Sequence, residues 1–191
     1  ATAQSIGAVN TVVEENGKWV GYNSDCSGAI AALEACTSLK DKNILILGAG
    51  GTAKAIGYGI KENGGKLTIT YNRNKEKGEN LAKELGCELI HCRDAGTQSI
   101  DILINCSPVG MNPNINESPF LARDFKEGMV VFDSVYNPLE TKLLREAKAA
   151  GCKVIPGSEL FINQAARQFE LFTGQPAPID AMREVLMEKL N

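Results

Sequence analysis

The chain has one histidine, one tryptophan, few aromatics of any kind and no long apolar run. A membrane-spanning helix needs about 20 consecutive apolar residues. None occurs, and no signal-peptide pattern stands at the start, so neither a membrane partner nor secretion is expected. The six cysteines form no CxxC pair, and His91 does not stand at zinc-finger spacing from any of them. They therefore predict neither a metal site nor a disulfide framework, but reduced and mostly buried thiols in the cytoplasm or an organelle stroma. Net charge is only -3, with both signs interspersed. A nucleic-acid partner calls for a basic patch or stripe, so none is expected, although a phosphate-bearing small molecule can still be held locally.

What is present is the composition of an ordinary globular protein: 191 residues, 43% hydrophobic and 23% charged. That supports one core, in one domain or one domain plus a piece of another. The first residue is alanine, and the first ten residues read as the end of a strand, so the chain is expected to be a fragment of a longer protein.

Residues 6–13 and 19–22 are apolar and β-prone around a polar turn containing Gly17, which is a hairpin signal. Helical spacing follows to about Leu39, with Ser24 or Asp25 as the expected N-cap. From residue 43 strands and helices alternate: strands at 43–47, 66–71, 88–91, 100–105, 129–133 and 153–155, with helices from Ala53, over 75–85 and over 139–150. Two more helical patterns, 159–172 and 179–190, end the chain. Parallel strands need helical crossovers, so this alternation predicts an α/β fold with a doubly wound, Rossmann-like parallel sheet.

One stretch carries recognisable chemistry. Gly48, Ala49, Gly50, Gly51, Thr52 and Ala53 fit the dinucleotide fingerprint, with a strand before and a helix after. Gly48 permits the tight turn, Gly50 lets a pyrophosphate approach bare backbone, and Ala53 keeps the helix near the sheet. Backbone N–H groups and the positive helix end attract the phosphates. Where NAD enzymes place a carboxylate about 20 residues further on, this chain has Asn72 and Arg73, with Lys75 and Lys77 just beyond. An arginine pairs with a ribose 2'-phosphate and a carboxylate repels it, so NADP is the expected cofactor.

Other stretches carry a family resemblance. Gly7 to Thr11, Gly21 to Asp25, Asn72-Arg73, the run from Asp133 to Thr141, and Gly157 to Ala166 with its Asn163-Gln164-Ala165-Ala166 occur in the order of the motifs of the shikimate dehydrogenase family, which the chain resembles over nearly its whole length. The resemblance implies NADPH-dependent, reversible reduction of 3-dehydroshikimate to shikimate, a step of aromatic amino acid biosynthesis. It implies that Asn10, Asp25 and Gln164 hold ring hydroxyls, that Tyr136 lies near the substrate, and that Asp25 belongs to a catalytic Lys/Asp pair. It places Asn72, Arg73 and Lys77 on the adenosine ribose phosphate, and Ser107, Gly157 and Leu160 on the nicotinamide side.

The same residues have plainer readings: a backbone bond at a strand end for Asn10, an N-cap for Asp25, structural hydrogen bonding for Gln164, core packing for Tyr136. His91 lies outside every motif and is assigned no role. Ser24 and Asn74 stand where the family usually has threonine, and the family's N-terminal lobe, with its serine pair and lysine, has no counterpart here. The expected organisation is a substrate-lobe hairpin at 1–25, an NADP-binding domain at 26–158 and helices returning to the substrate lobe at 159–191. The intact protein is expected to be the enzyme and this chain alone to turn over poorly. The rival readings are an NAD-dependent quinate/shikimate dehydrogenase and a non-catalytic metabolite-sensing relative.

Overall fold

The computed structural model describes residues 3–190. A short helix α1 (Ala3–Ile6) leads into an antiparallel hairpin of β1 (Thr11–Glu15) and β2 (Lys18–Tyr22), which forms a two-stranded sheet of its own. Helix α2 (Ser24–Glu34) follows, then β3 (Asn43–Leu47), α3 (Gly51–Glu62), β4 (Lys66–Tyr71), α4 (Lys75–Leu85) and β5 (Glu88–His91). The second half runs β6 (Ile102–Asn105), β7 (Val130–Asp133), α5 (Lys142–Ala149), β8 (Lys153–Ile155), α6 (Gly157–Thr173) and α7 (Ile179–Leu190).

Six strands form one parallel sheet in the order β5-β4-β3-β6-β7-β8. The chain starts at the middle, moves outward to β5, and returns to build the other half from β6. This is the doubly wound order, with its crevice where β3 and β6 part at their C-terminal ends. The continuous apolar run of β3 serves both faces: Ile44 and Ile46 join α2, α3 and α4 in one core, while Leu45 and Leu47 join β6, β7 and α5 in the other. Each such side chain contributes roughly 1.5 to 3 kcal/mol by leaving water.

Three sequence expectations change. Residues 3–6 are helical, not the end of a strand, and pairing starts only at Thr11. Gly7, at a φ of 65°, stops that helix, and Ile6 is buried against Cys26 and Ala55. Its apolar character reflects that docking rather than a strand face. The N-cap of α2 is Asn23, whose side chain accepts the Cys26 N–H, so neither Ser24 nor Asp25 caps the helix. Helix α2 also ends at Glu34; Leu39 reaches the core from the following loop, which preserved the apolar spacing after the helix had stopped.

The closest helix packing brings α2 against α6. A Cβ on Gly28 would stand 2.8 Å from the Gln164 backbone nitrogen. Gly28→Ala ordinarily gains up to about 1 kcal/mol in a helix interior, but here α6 must shift. Urea unfolding should show a net loss of about 1 to 3 kcal/mol, the usual range for overpacking; a gain would mean that α6 moves freely on α2.

Candidate active site

The first turn of α3 separates two concavities. On one side Ala49, Gly50, Gly51, Lys54, Asn74, Lys77 and Glu84 line a groove of about 420 Å³. Gly48, at a φ of 120°, turns sharply off β3 and donates its N–H to the Thr70 hydroxyl of β4 at 3.1 Å. A Cβ on Gly48 would lie 3.2 Å from the Cys106 carbonyl, so the turn itself demands glycine there. Gly50 and Gly51 differ: a Cβ on either would meet no protein atom within 4 Å. Packing therefore does not explain them; their bare backbone is open to the groove. Ala53 is buried under the helix against the core.

At the far wall Asn74 caps α4, accepting the Lys77 N–H at 2.8 Å. Asparagine and threonine are both good caps, so this departure from the family pattern keeps the helix start. Asn72 and Arg73 lie exposed between β4 and this cap, beside the groove rather than in its wall. Lys54 is paired with Glu84 at 2.6 Å, so part of the groove's positive charge is already neutralised.

On the other side of the same turn, Asp25, Thr52, Ser134, Tyr136, Gly157, Leu160, Phe161 and Gln164 surround a cleft of about 230 Å³. Asp25 occupies the first turn of α2, half-buried and with no capping duty. Burial pushes its carboxyl above the ordinary value, and the Asn10 amide beside it partly offsets the rise. The Tyr136 ring packs tilted against Phe161 with centroids 4.9 Å apart, at the exposed rim. Asn10 reaches the edge of the site through Ser24: its Oδ1 accepts the Ser24 N–H at 2.9 Å. The plain backbone-bonding reading of Asn10 is thus also true, and its Nδ2 end remains turned toward Ser24 at 3.1 Å. Gln164 likewise bonds to Ser24, through Oε1 at 3.3 Å.

Below the cleft lies a buried network that sequence reading missed. Asn105 and Asp133 end the paired strands β6 and β7 side by side, both fully buried. Asp133 accepts from Asn105 Nδ2 at 2.9 Å, the Thr141 hydroxyl at 2.6 Å and the Val135 N–H at 3.0 Å. Asn105 Oδ1 in turn accepts both the N–H and the hydroxyl of Ser107, at 2.9 and 2.7 Å. One carboxylate thereby orients the loop carrying Ser107 and the loop carrying Ser134 and Tyr136. Burial raises the Asp133 carboxyl to about 6, against the pull of those three donors.

Similar proteins fit this geometry. A family described as shikimate / quinate 5-dehydrogenase matches residues 30–133, more than half of the chain. The chain belongs to this family. The C-terminal domain description of shikimate 5'-dehydrogenase matches residues 157–187. A shikimate dehydrogenase (NADP(+)) of Methanocaldococcus jannaschii is 42% identical over 200 residues, covering 99% of this chain and 70% of that protein. A chloroplastic bifunctional 3-dehydroquinate dehydratase/shikimate dehydrogenase of Arabidopsis thaliana is 38% identical, and the chain spans 34% of its length. Among solved structures, the Thermus thermophilus shikimate 5-dehydrogenase in complex with NADP(H) and shikimate superposes with a TM-score of 0.87 at 36% identity, over 97% of this chain and 70% of that one.

The structure gathers Asp25, Thr52, Tyr136, Gly157, Leu160 and Gln164 around one cleft, with Ala49, Gly50, Gly51 and Lys77 around the adjoining groove. Ser107 stands outside the cleft wall, at the end of the Asn105 network. Ser134 and Phe161 line the cleft without having been singled out, and Ser24 links Asn10 to Gln164. The signal for Ser134 was its place just past a strand's C-terminal end, where α/β folds build their sites.

The Asp133 carboxyl gives a signed prediction. Its folded value lies above the ordinary 3.8, so the group's contribution to stability is complete below about pH 4 and is lost as pH rises through about 6. Urea unfolding of the wild type and Asp133→Asn at pH 4 and pH 7 should show the wild type losing about 2 to 3 kcal/mol relative to the variant across that interval. Equal pH slopes would show that Asp133 does not titrate there.

Proposed function

We propose that this chain carries the NADP-binding and part of the substrate-binding machinery of a shikimate dehydrogenase, which interconverts 3-dehydroshikimate and shikimate. The observation that carries the reading is the shared first turn of α3: one face opens on the bare-backbone glycine groove, the other on the cleft that holds Asp25 and Gln164. Gly50 and Gly51 would hold the phosphates of a dinucleotide bound over that turn, and the residues of the cleft would receive its reactive ring.

The residues fit such a cofactor. Gly50 and Gly51 leave open space where a pyrophosphate needs backbone N–H donors. Arg73 and Lys77 supply exposed positive charge for the 2'-phosphate, and Gly157, Leu160 and Ser107 frame the nicotinamide side. Gly157 has a structural reason as well, since a Cβ there would fall 2.3 Å from the Val135 carbonyl oxygen. When bound, NADPH supplies the hydride; everything else falls to the protein.

A ring bearing several hydroxyls needs matching polar partners, because each unmatched group in a closed site costs roughly 1 to 3 kcal/mol. Asn10, Asp25 and Gln164 provide amide and carboxylate partners, and Tyr136 closes the rim. Reduction of the ketone leaves an oxygen that must be protonated. Asp25 suits that part of the site: its partly desolvated carboxyl holds a ring hydroxyl and keeps its proton to higher pH than a free carboxyl does. The six free cysteines agree with a reducing compartment such as the cytoplasm or a plastid stroma.

Two measurements on the full-length protein test the reading. Shikimate plus NADP+ should yield NADPH, and Asp25→Asn should lower kcat by a factor of about 100 or more, at the low end for a lost acid-base group, with the NADP+ KM unchanged. Arg73→Ala should weaken NADP+ roughly 10- to 100-fold, the loss of a charge-assisted bond, and leave NAD+ almost unaffected. Equal weakening of both would remove the 2'-phosphate assignment, and an inert wild type would remove the enzymatic one.

A further inference from the structure

Around Ser24 five side chains form a hydrogen-bonded chain whose direction can be worked out from one fixed point. That point is the backbone N–H of Ser24, a donor under all circumstances, which meets Asn10 Oδ1 at 2.9 Å. The Asn10 oxygen is therefore the atom facing it. The Thr11 hydroxyl, also 2.9 Å away, fills the second acceptor position of the same oxygen. Gln168 Nε2 then donates to Thr11 Oγ1 at 3.1 Å, consistent with a hydroxyl whose proton is committed to Asn10.

With Oδ1 so occupied, the other end of Asn10 must be the NH2. It donates to Ser24 Oγ at 3.1 Å. The same amide stands beside the Asp25 carboxyl and partly offsets the rise that burial causes there. Ser24 Oγ, having accepted from Asn10, still has a proton to place. Asn10 Oδ1 is nearby at 3.3 Å but already receives two donors, while Gln164 Oε1 stands at 3.3 Å. Ser24 is almost fully buried, so its proton needs an acceptor inside the protein. Turning Gln164 round would place a second NH2 against the hydroxyl and leave its proton only Asn10 Oδ1, which two donors already fill.

We propose that Ser24 is a positioning residue that fixes the direction of the Gln164 amide, so that this cleft-lining side chain offers N–H donors, and not its carbonyl, to a hydroxyl or ketone oxygen of the ring. Gln164 Nε2 has no hydrogen-bond partner among the described residues, and the Gln164 backbone packs against Gly28, which fixes the point from which the side chain enters the cleft. A hydroxyl bound there accepts from Gln164 and keeps its own proton for another acceptor; Asp25 is the carboxylate on the same cleft. The pair thus reads one ring hydroxyl as acceptor and donor at once. Threonine at position 24 carries the same hydroxyl, whereas alanine removes the link and frees the amide to turn.

This proposal rests on the shikimate reading above, and its tests separate the two. In the full-length protein Ser24→Ala should raise the shikimate KM about tenfold, the loss of roughly one hydrogen bond, with the NADP+ KM unchanged. Ser24→Thr should restore it, and the Ser24→Ala/Gln164→Ala double variant should be no worse than Gln164→Ala alone. An unchanged shikimate KM in Ser24→Ala, a parallel rise in both KM values, or fully additive effects would overturn it. A wild type that fails to oxidise shikimate sinks the functional reading instead. The amide direction remains measurable in that case: in 15N-labelled protein the Gln164 side-chain NH2 should exchange readily with solvent while that of Asn10 is protected. The reverse pattern would overturn the assignment on its own.

Discussion

The contact between the α2 and α6 backbones at Gly28 sets the geometry of the cleft. Glycine interiors cost a helix up to about 1 kcal/mol relative to alanine, and α2 accepts that cost where it meets the Gln164 nitrogen. Ser24 and Asp25 lie one turn before Gly28, so the close approach carries them to the Gln164 side chain, 140 positions away along the chain. Gly157 plays the corresponding part at the start of α6, where it fits beneath the Val135 carbonyl. The missing side chain at Gly28 thus brings together segments from opposite ends of the sequence, the one at Gly157 seats α6 on the loop after β7, and the cleft is what remains between them.

Much of this was legible before any coordinates. The alternation of short apolar strands with helical spacing is imposed locally, by burial on both faces of β3 and its neighbours, and the parallel sheet follows from it. The glycine loop was equally legible, because Gly48 answers to a backbone angle and Gly50 leaves its backbone open, both features that act at a single position. The grouping of Asp25, Tyr136 and Gln164 was reached only through the order of family motifs. No periodicity links positions 25, 136 and 164.

What was missed shares a physical cause. Asn105 and Asp133 close two separate strands in the sequence, and nothing local marks them as partners; that they face one another in register across β6 and β7 is a property of strand order. The capping of α2 was misplaced by one or two residues because Asn23, Ser24 and Asp25 are all competent caps, and tertiary contacts decide among them. Ser24 is held by Asn10 and Gln164, Asp25 faces the cleft, and Asn23 is left for the Cys26 N–H. Likewise Ile6 was read as part of a strand because its partners, Cys26 and Ala55, lie in elements not adjacent in sequence.

The two concavities use different physics, and that difference limits what substitution can do to each. Arg73 and Lys77 stand in water, so their attraction for a phosphate is screened within about 10 Å at ordinary ionic strength and weakens with salt. Cofactor choice on that side follows the number and sign of exposed charges, and the Lys54–Glu84 pair already subtracts one cation from the count. Ser24 and the Asn105–Asp133 pair are held away from water, and there added salt has little effect while the direction of each N–H and O–H bond is decisive. An exchange that keeps the hydroxyl, threonine for serine, keeps the hydrogen-bonding group that position 24 uses. An equally conservative asparagine for aspartate at position 133 does change that group, since an amide brings donors of its own to a position that three donors already occupy.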